Sequence, residues 1–204
     1  MITLNQPRRI VLAMLVHLVQ FLCAAIFLGG IADQAQFGPN NQCLLFISNF
    51  NRTINSHFTF SATSLSCSYI ILVGSVGVVL SLIFGVGTLY FLSREASRAA
   101  RVILAYAATS TIFSLLLLVA ASLGSIGIRW TCGYLEQSGV QCASVFASGF
   151  TENNGSAIPK NLGTINAAIG AGWFGLLVWV LFALLELRNW KNTRNHFKNS
   201  TEAS

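Results

Sequence analysis

Of 204 residues, 54% are apolar and only 9% charged, against roughly a quarter charged in ordinary soluble domains. That balance excludes a water-soluble globular domain and points to a membrane chain. The net charge of +6 would suggest nucleic acid only if the basic residues lined one folded surface, but they cluster at the ends of apolar runs, so no nucleic-acid partner is expected.

Crossing a hydrocarbon core of about 30 Å takes roughly 20 apolar residues as a helix, and four stretches reach that length. Lipid offers no partner to free backbone N–H and C=O groups, so each must be helical. The first, 10–32, follows Arg8 and Arg9. Its apolar length exceeds the usual 7–15 or so of a secretory signal, so a retained anchor is expected; cleavage near Ala32 to Ala35 would leave three helices with unchanged sidedness. Within it, His17 and Gln20 share one face, and Cys23 reads as a small apolar filler. The loop 33–68 carries Cys43, Cys67 and the glycosylation acceptor Asn51-Arg52-Thr53.

The second span, 69–92, places Gly77, Ser81 and Gly85 at every fourth position. Apolar side chains gain little by leaving lipid, so such small residues point to close helix approach. The link 93–101 is short enough to force an antiparallel hairpin with the third span, 102–128, where Thr109, Ser110, Thr111 and Ser114 supply hydroxyls. A hydrogen-bonded contact between the first and third helices is the expected use of these polar groups.

The loop 129–161 holds Cys132, Cys142 and a second acceptor, Asn154-Gly155-Ser156, with Gly133 and Gly139 expected to let the chain turn between the cysteines. The fourth span, 162–187, repeats Gly163, Ala167, Ala171 and Gly175 every four residues, predicting a packing stripe inside one bundle or, as the sharper alternative, a homo-oligomer seam. Glu186, beside Arg188, Lys191 and Trp190, reads as an interfacial charge pair with an aromatic anchor. The tail 188–204 carries a third acceptor, Asn199-Ser200-Thr201, expected to stay bare. Its scattered basic residues read as ordinary contacts with membrane lipid.

Sidedness follows from the basic flanks. Arg8, Arg9, Arg94, Arg98, Arg101, Arg188, Lys191, Arg194 and Lys198 fall on one side, nine of the twelve, and Arg52, Arg129 and Lys160 on the other. Positive flanks stay cytoplasmic, so both termini and the link are expected inside, and both long loops outside or in a lumen. Each of those loops then holds two cysteines in an oxidising compartment. Pairing within each loop is expected, Cys43 with Cys67 and Cys132 with Cys142, although four cysteines allow three pairings. Neither loop has the CxxC of a zinc or redox site, and no cofactor or metal is implied. The predicted fold is an all-α membrane protein: a single four-transmembrane-helix bundle over 1–204 with two disulfide-stapled external loops.

The order of spans, the paired cysteines and the Gly/Ala-rich last helix resemble the MARVEL-type tetraspan group that includes synaptophysin and synaptogyrin. "CLLF" at 43–46, "WTC" at 130–132 with Cys142 following, and "GWFGLLVWVLFALLELRNW" at 172–190 are similar to the transmembrane protein 179 family. The CCG triplet of tetraspanins and the paired-cysteine Trp signature of claudins are absent. By analogy of architecture, the resemblance implies vesicle or membrane-domain organisation in plasma or secretory membranes. A non-enzymatic scaffold or trafficking component is therefore expected, binding itself or a larger membrane protein. A channel-forming or accessory subunit ranks second, because a pore needs a polar stripe and the third helix offers hydroxyls without a charge ring. An enzyme ranks last: His17 and Glu186 are expected at different depths, and Glu136 and Glu152 have no evident partner.

Overall fold

The computed structural model describes residues 6–37, 42–52, 58–61, 65–93, 100–151 and 157–202. Four long helices, α1 (Gln6–Gln34), α2 (Leu65–Ser93), α3 (Ala100–Gln137) and α5 (Leu162–Glu202), form the bundle, and a short α4 (Cys142–Ser148) lies between the last two. Each long helix holds a stretch apolar enough to cross a membrane. The helices close into a ring: α1 packs on α2 and α5, α3 packs on α5, and α2 meets α3 along the slightest seam. The outward faces remain apolar, as with Leu15, Leu18, Leu22 and Ile26 on α1 and Leu177, Leu181 and Leu184 on α5, because lipid takes the place of water there.

Two helices outrun their apolar stretches. α3 continues to Gln137 instead of ending near residue 128, and α5 continues to Glu202 instead of near 187. Hydropathy marks where lipid ends, whereas a helix ends where its hydrogen-bond ladder is broken. In α3 that break is Gly139, whose φ of 76° lies in the left-handed region. Its N–H donates to the Glu136 carbonyl at 2.9 Å, and the Val140 N–H donates to the Leu135 carbonyl at 3.1 Å. This pair of bonds is a Schellman stop. Gly133, by contrast, is inside the helix and takes no part in the turn. α5 starts more conventionally, with the Asn161 side chain accepting from the Thr164 N–H at 3.2 Å as an N-cap.

The loops are not wholly irregular. Short antiparallel hairpins join β1 (Gln36–Phe37) to β2 (Gln42–Cys43), β3 (Ser48–Arg52) to β4 (Phe58–Ser61), and β5 (Phe150–Thr151) to β6 (Ala157–Ile158). β4 also lies against β5, so the two loops form one cap over the bundle.

Aromatic rings fill the bundle axis. Trp179 meets Phe113 at 4.7 Å between ring centres and Phe84 at 5.9 Å, and Phe84 stacks on Tyr106 at 4.4 Å. Small residues admit this filling. A Cβ at Gly77 would stand 2.8 Å from Phe113 and 3.1 Å from Ala24, and one at Gly85 would touch His17 at 3.5 Å; Ser81, between them, is buried and donates to the Val78 carbonyl.

On α5 the expected stripe divides. A Cβ at Gly175 would stand 3.1 Å from the Cys23 Cβ of α1 and Ala171 is half-buried, but Gly163 and Ala167 are exposed. Four residues turn a helix by about 400°, so such a stripe drifts about 40° per step and about 120° from Gly163 to Gly175. The seam with α1 instead runs through Ala168, Gly172 and Gly175. A Cβ at Gly172 would stand 2.9 Å from the Phe27 ring, and one at Gly30 of α1 would stand 2.6 Å from the Ala168 Cβ.

Candidate functional site

Two regions concentrate chemistry, one at each end of the bundle. At the loop end, disulfides join Cys43 to Cys67 (Cα separation 5.6 Å) and Cys132 to Cys142 (5.0 Å). The first ties β2 to the first turns of α2. The second ties the protruding end of α3 to α4, so Cys132 sits on a helix and not in a loop. Cys23 is free and buried.

Between the first staple and β3, residues 44–47 form a plug. Leu44, Leu45 and Ile47 have no solvent exposure, and Phe46 takes a positive φ of 63° that turns the chain down onto α3. Thr131 holds it: its hydroxyl donates to the Leu44 carbonyl at 2.9 Å and accepts from the Ile47 N–H at 3.2 Å. The Leu44 N–H donates to the Ala35 carbonyl at 2.7 Å. A Cβ at Gly127 would stand 2.8 Å from the Leu45 Cβ, so glycine lets the plug seat. "CLLF" was visible in sequence, but four apolar residues are too few to define a period, and nothing singled out Thr131. Replacing Thr131 with Val keeps the shape and orphans two buried backbone groups. The expected loss is about 2 kcal/mol, read as a lower melting temperature in detergent and faster exchange of the Ile47 amide.

Beside the plug, α1 and α5 are laced together. Lys160 Nζ donates to the Asp33 carbonyl, Gln34 Nε2 donates to the Asp33 carboxylate, and the Asn161 N–H donates to Gln34 Oε1 at 2.6 Å. Asn51 lies on β3, paired with Thr59. Asn154 falls outside the described residues, and Asn199 is on α5.

At the end carrying both termini, α1, α2, α3 and α5 line an open cavity of about 560 Å³. His17 and Glu186 both line it and both are buried, His17 level with Phe182 and Glu186 one turn of α5 further on. Glu186 is buried while Arg188 and Lys191 are exposed, and Trp190 lies under the Arg194 guanidinium at 5.6 Å. The register between α1 and α5 sets this meeting, and no sequence carries that register. His17 Nδ1 stands 2.9 Å from Gln20 Oε1 and, since a carbonyl oxygen only accepts, donates to it. Nε2 is hydrogen-bonded with the Thr88 hydroxyl at 3.2 Å. His17 thus reaches α2, whereas the Ser110, Thr111 and Ser114 hydroxyls of α3 donate to carbonyls of their own helix. The Phe182 ring stands edge-on to His17 at 5.1 Å. Among the described residues no three His, Cys, Asp or Glu side chains converge as a metal set.

A ring of four apolar helices with an aromatic axis, roofed by two disulfide-stapled loops, defines a multi-pass membrane protein of claudin-like build. The family whose sequence model is described as "Transmembrane protein 179/179B Claudin domain" matches residues 9–204, and the chain belongs to that family. The match supports the transmembrane protein 179 likeness and corrects the separation from claudins drawn from a missing short signature. No curated protein and no solved structure matches the chain.

Proposed function

We propose that this is a non-enzymatic membrane-organising protein, a scaffold or trafficking component that engages other membrane proteins through its stapled cap. Its termini face the cytoplasm, and Asn51 and Asn154 carry glycans in the cap. The observation that supports this most is the rigidity of the cap: two disulfides, the Thr131 bracket and the Schellman stop fix it to the bundle. Such a surface meets a partner without first losing chain freedom. The vesicle-organising role implied by the MARVEL-type likeness rests on architecture alone, and the family match favours a claudin-type comparison. The channel reading gains little from one copy, whose axis is filled by Trp179, Phe113 and Phe84.

The exposed crest of the α3 extension, with Trp130 61% exposed above Tyr134, is the place to test partner binding. A complex isolated in mild detergent is expected to lose its partner in the Trp130→Ala chain while both disulfides still form. Ionic current from the purified protein in planar bilayers, with partner capture indifferent to Trp130, would reverse the ranking of scaffold and channel. In intact cells a glycosidase is expected to shift the wild-type chain, and Asn51→Gln to remove part of that shift. A glycan on Asn199 overturns the orientation.

A further inference from the structure

The cavity at the terminal end has two unlike walls. One follows α5, where Glu186, Asn189 and Thr193 recur on one face with Asn192 beside them; His17 and Thr88 continue the polar surface inward. The other is apolar, built from Val16, Phe91, Ile103 and Phe182. Its rim is also mixed. Leu12 of α1 and Leu185 of α5, 56% and 57% exposed, open it sideways between those helices, whereas Asn189 and Asn192 are exposed about one and two turns further along α5. A space of about 560 Å³ lies within the range of about 300–1,000 Å³ that small-molecule sites occupy.

We infer that this cavity is a binding site for a single-chain amphiphilic amine, its ammonium held by Glu186 and its tail leaving between Leu12 and Leu185. The sign of the charge is what selects the class. Among the described residues of the lining Glu186 is the one carboxylate and neither Lys nor Arg occurs, so this wall favours a cation over phosphate or carboxylate heads. A carboxylate accepts up to about four hydrogen bonds, so an ammonium fits beside the contacts Glu186 already makes. Acidic residues inside a membrane bundle are rare and mark ligand or ion paths more often than packing. The inference is independent of the cap and of any partner bound there.

The test uses the full chain in membranes and a long-chain primary alkylamine bearing a diazirine in its tail. Illumination is expected to label the α1 and α5 walls near Leu12 and Leu185, and unlabelled amine to compete. Glu186→Gln is nearly the same size and removes the charge; losing a charge-assisted hydrogen bond is expected to weaken competition about tenfold. Ala13→Phe fills the cavity from α1 and is expected to abolish the labelling while leaving Glu186 in place. Formation of both disulfides and an unchanged melting temperature show that each variant is folded; should Glu186→Gln fail that check, Ala13→Phe decides. Competition by the matching fatty acid or alcohol as strong as by the amine, or labelling spread evenly over the lipid-facing surface and equal in a folded variant, overturns the inference.

Discussion

A chain with Cys43→Ala and Cys67→Ala is expected to lose about 3.5 kcal/mol of stability, the chain freedom that a staple across 24 residues removes from the unfolded state. Both sulfurs are fully buried at the junction of β2 and α2, and the plug begins at the next residue. Without the bridge, residues 44–47 depend on Thr131, on the hydrogen bond from the Leu44 N–H to the Ala35 carbonyl and on a long one, 3.4 Å, from the Phe46 N–H to the Gly127 carbonyl. The measurable result is a lower melting temperature in detergent, with faster amide exchange confined first to the plug. Removing the Cys132–Cys142 bridge, which spans only 10 residues, is expected to lower stability less, by about 3 kcal/mol, and to free α4 while leaving the plug protected. If both double variants loosened the same segment, the cap would be one cooperative unit and the separate roles given to the staples would be wrong.

The second large effect lies in the membrane, at neighbouring glycines. Gly30→Val is expected to lower stability by about 3 kcal/mol, because its Cβ would stand 2.6 Å from the Ala168 Cβ and 3.4 Å from the Thr164 carbonyl oxygen. α1 and α5 would have to separate along a seam that also contains Gly172 and Gly175. Gly29→Ala is the control: nothing lies within 4 Å of its Cβ, and alanine in place of glycine inside a helix is expected to add about 0.5–1 kcal/mol. Melting curves for the pair in one detergent decide between close packing and mere tolerance of small residues. Equal behaviour of the two variants would show that α1 and α5 do not meet closely at Gly30.

The comparison of sequence with structure is instructive element by element. The all-helical four-span class was legible because membrane thickness demands a minimum apolar length, and each of the four runs meets it without interior Asp, Lys or Arg. Helix ends were not, since residues 129–137 and 188–202 remain helical after the apolar signal has stopped. The fourfold spacing on α5 was read as a straight line, whereas helical drift carries Gly163 and Ala167 outward and brings Ala168 and Gly172 into the seam. His17 stood out as a polar group in a span, but its neighbours Thr88 and Phe182 come from helices whose mutual register is fixed only by packing. Thr131 was invisible for a different reason: a hydroxyl near a helix end has many possible roles, and only the folded plug selects one.

The continuity of α3 links the two ends of the molecule. The same unbroken helix holds the plug through Thr131 and borders the cavity through Ile103, with Gly139 as its first true stop. A rod of 38 residues is about 57 Å long, so pivoting it by about 5° at one end sweeps the other through about 5 Å. Among the long helices, α3 meets α2 along its slightest seam. Trp130 in the cap and Ile103 at the cavity stand about 40 Å apart along one unbroken axis.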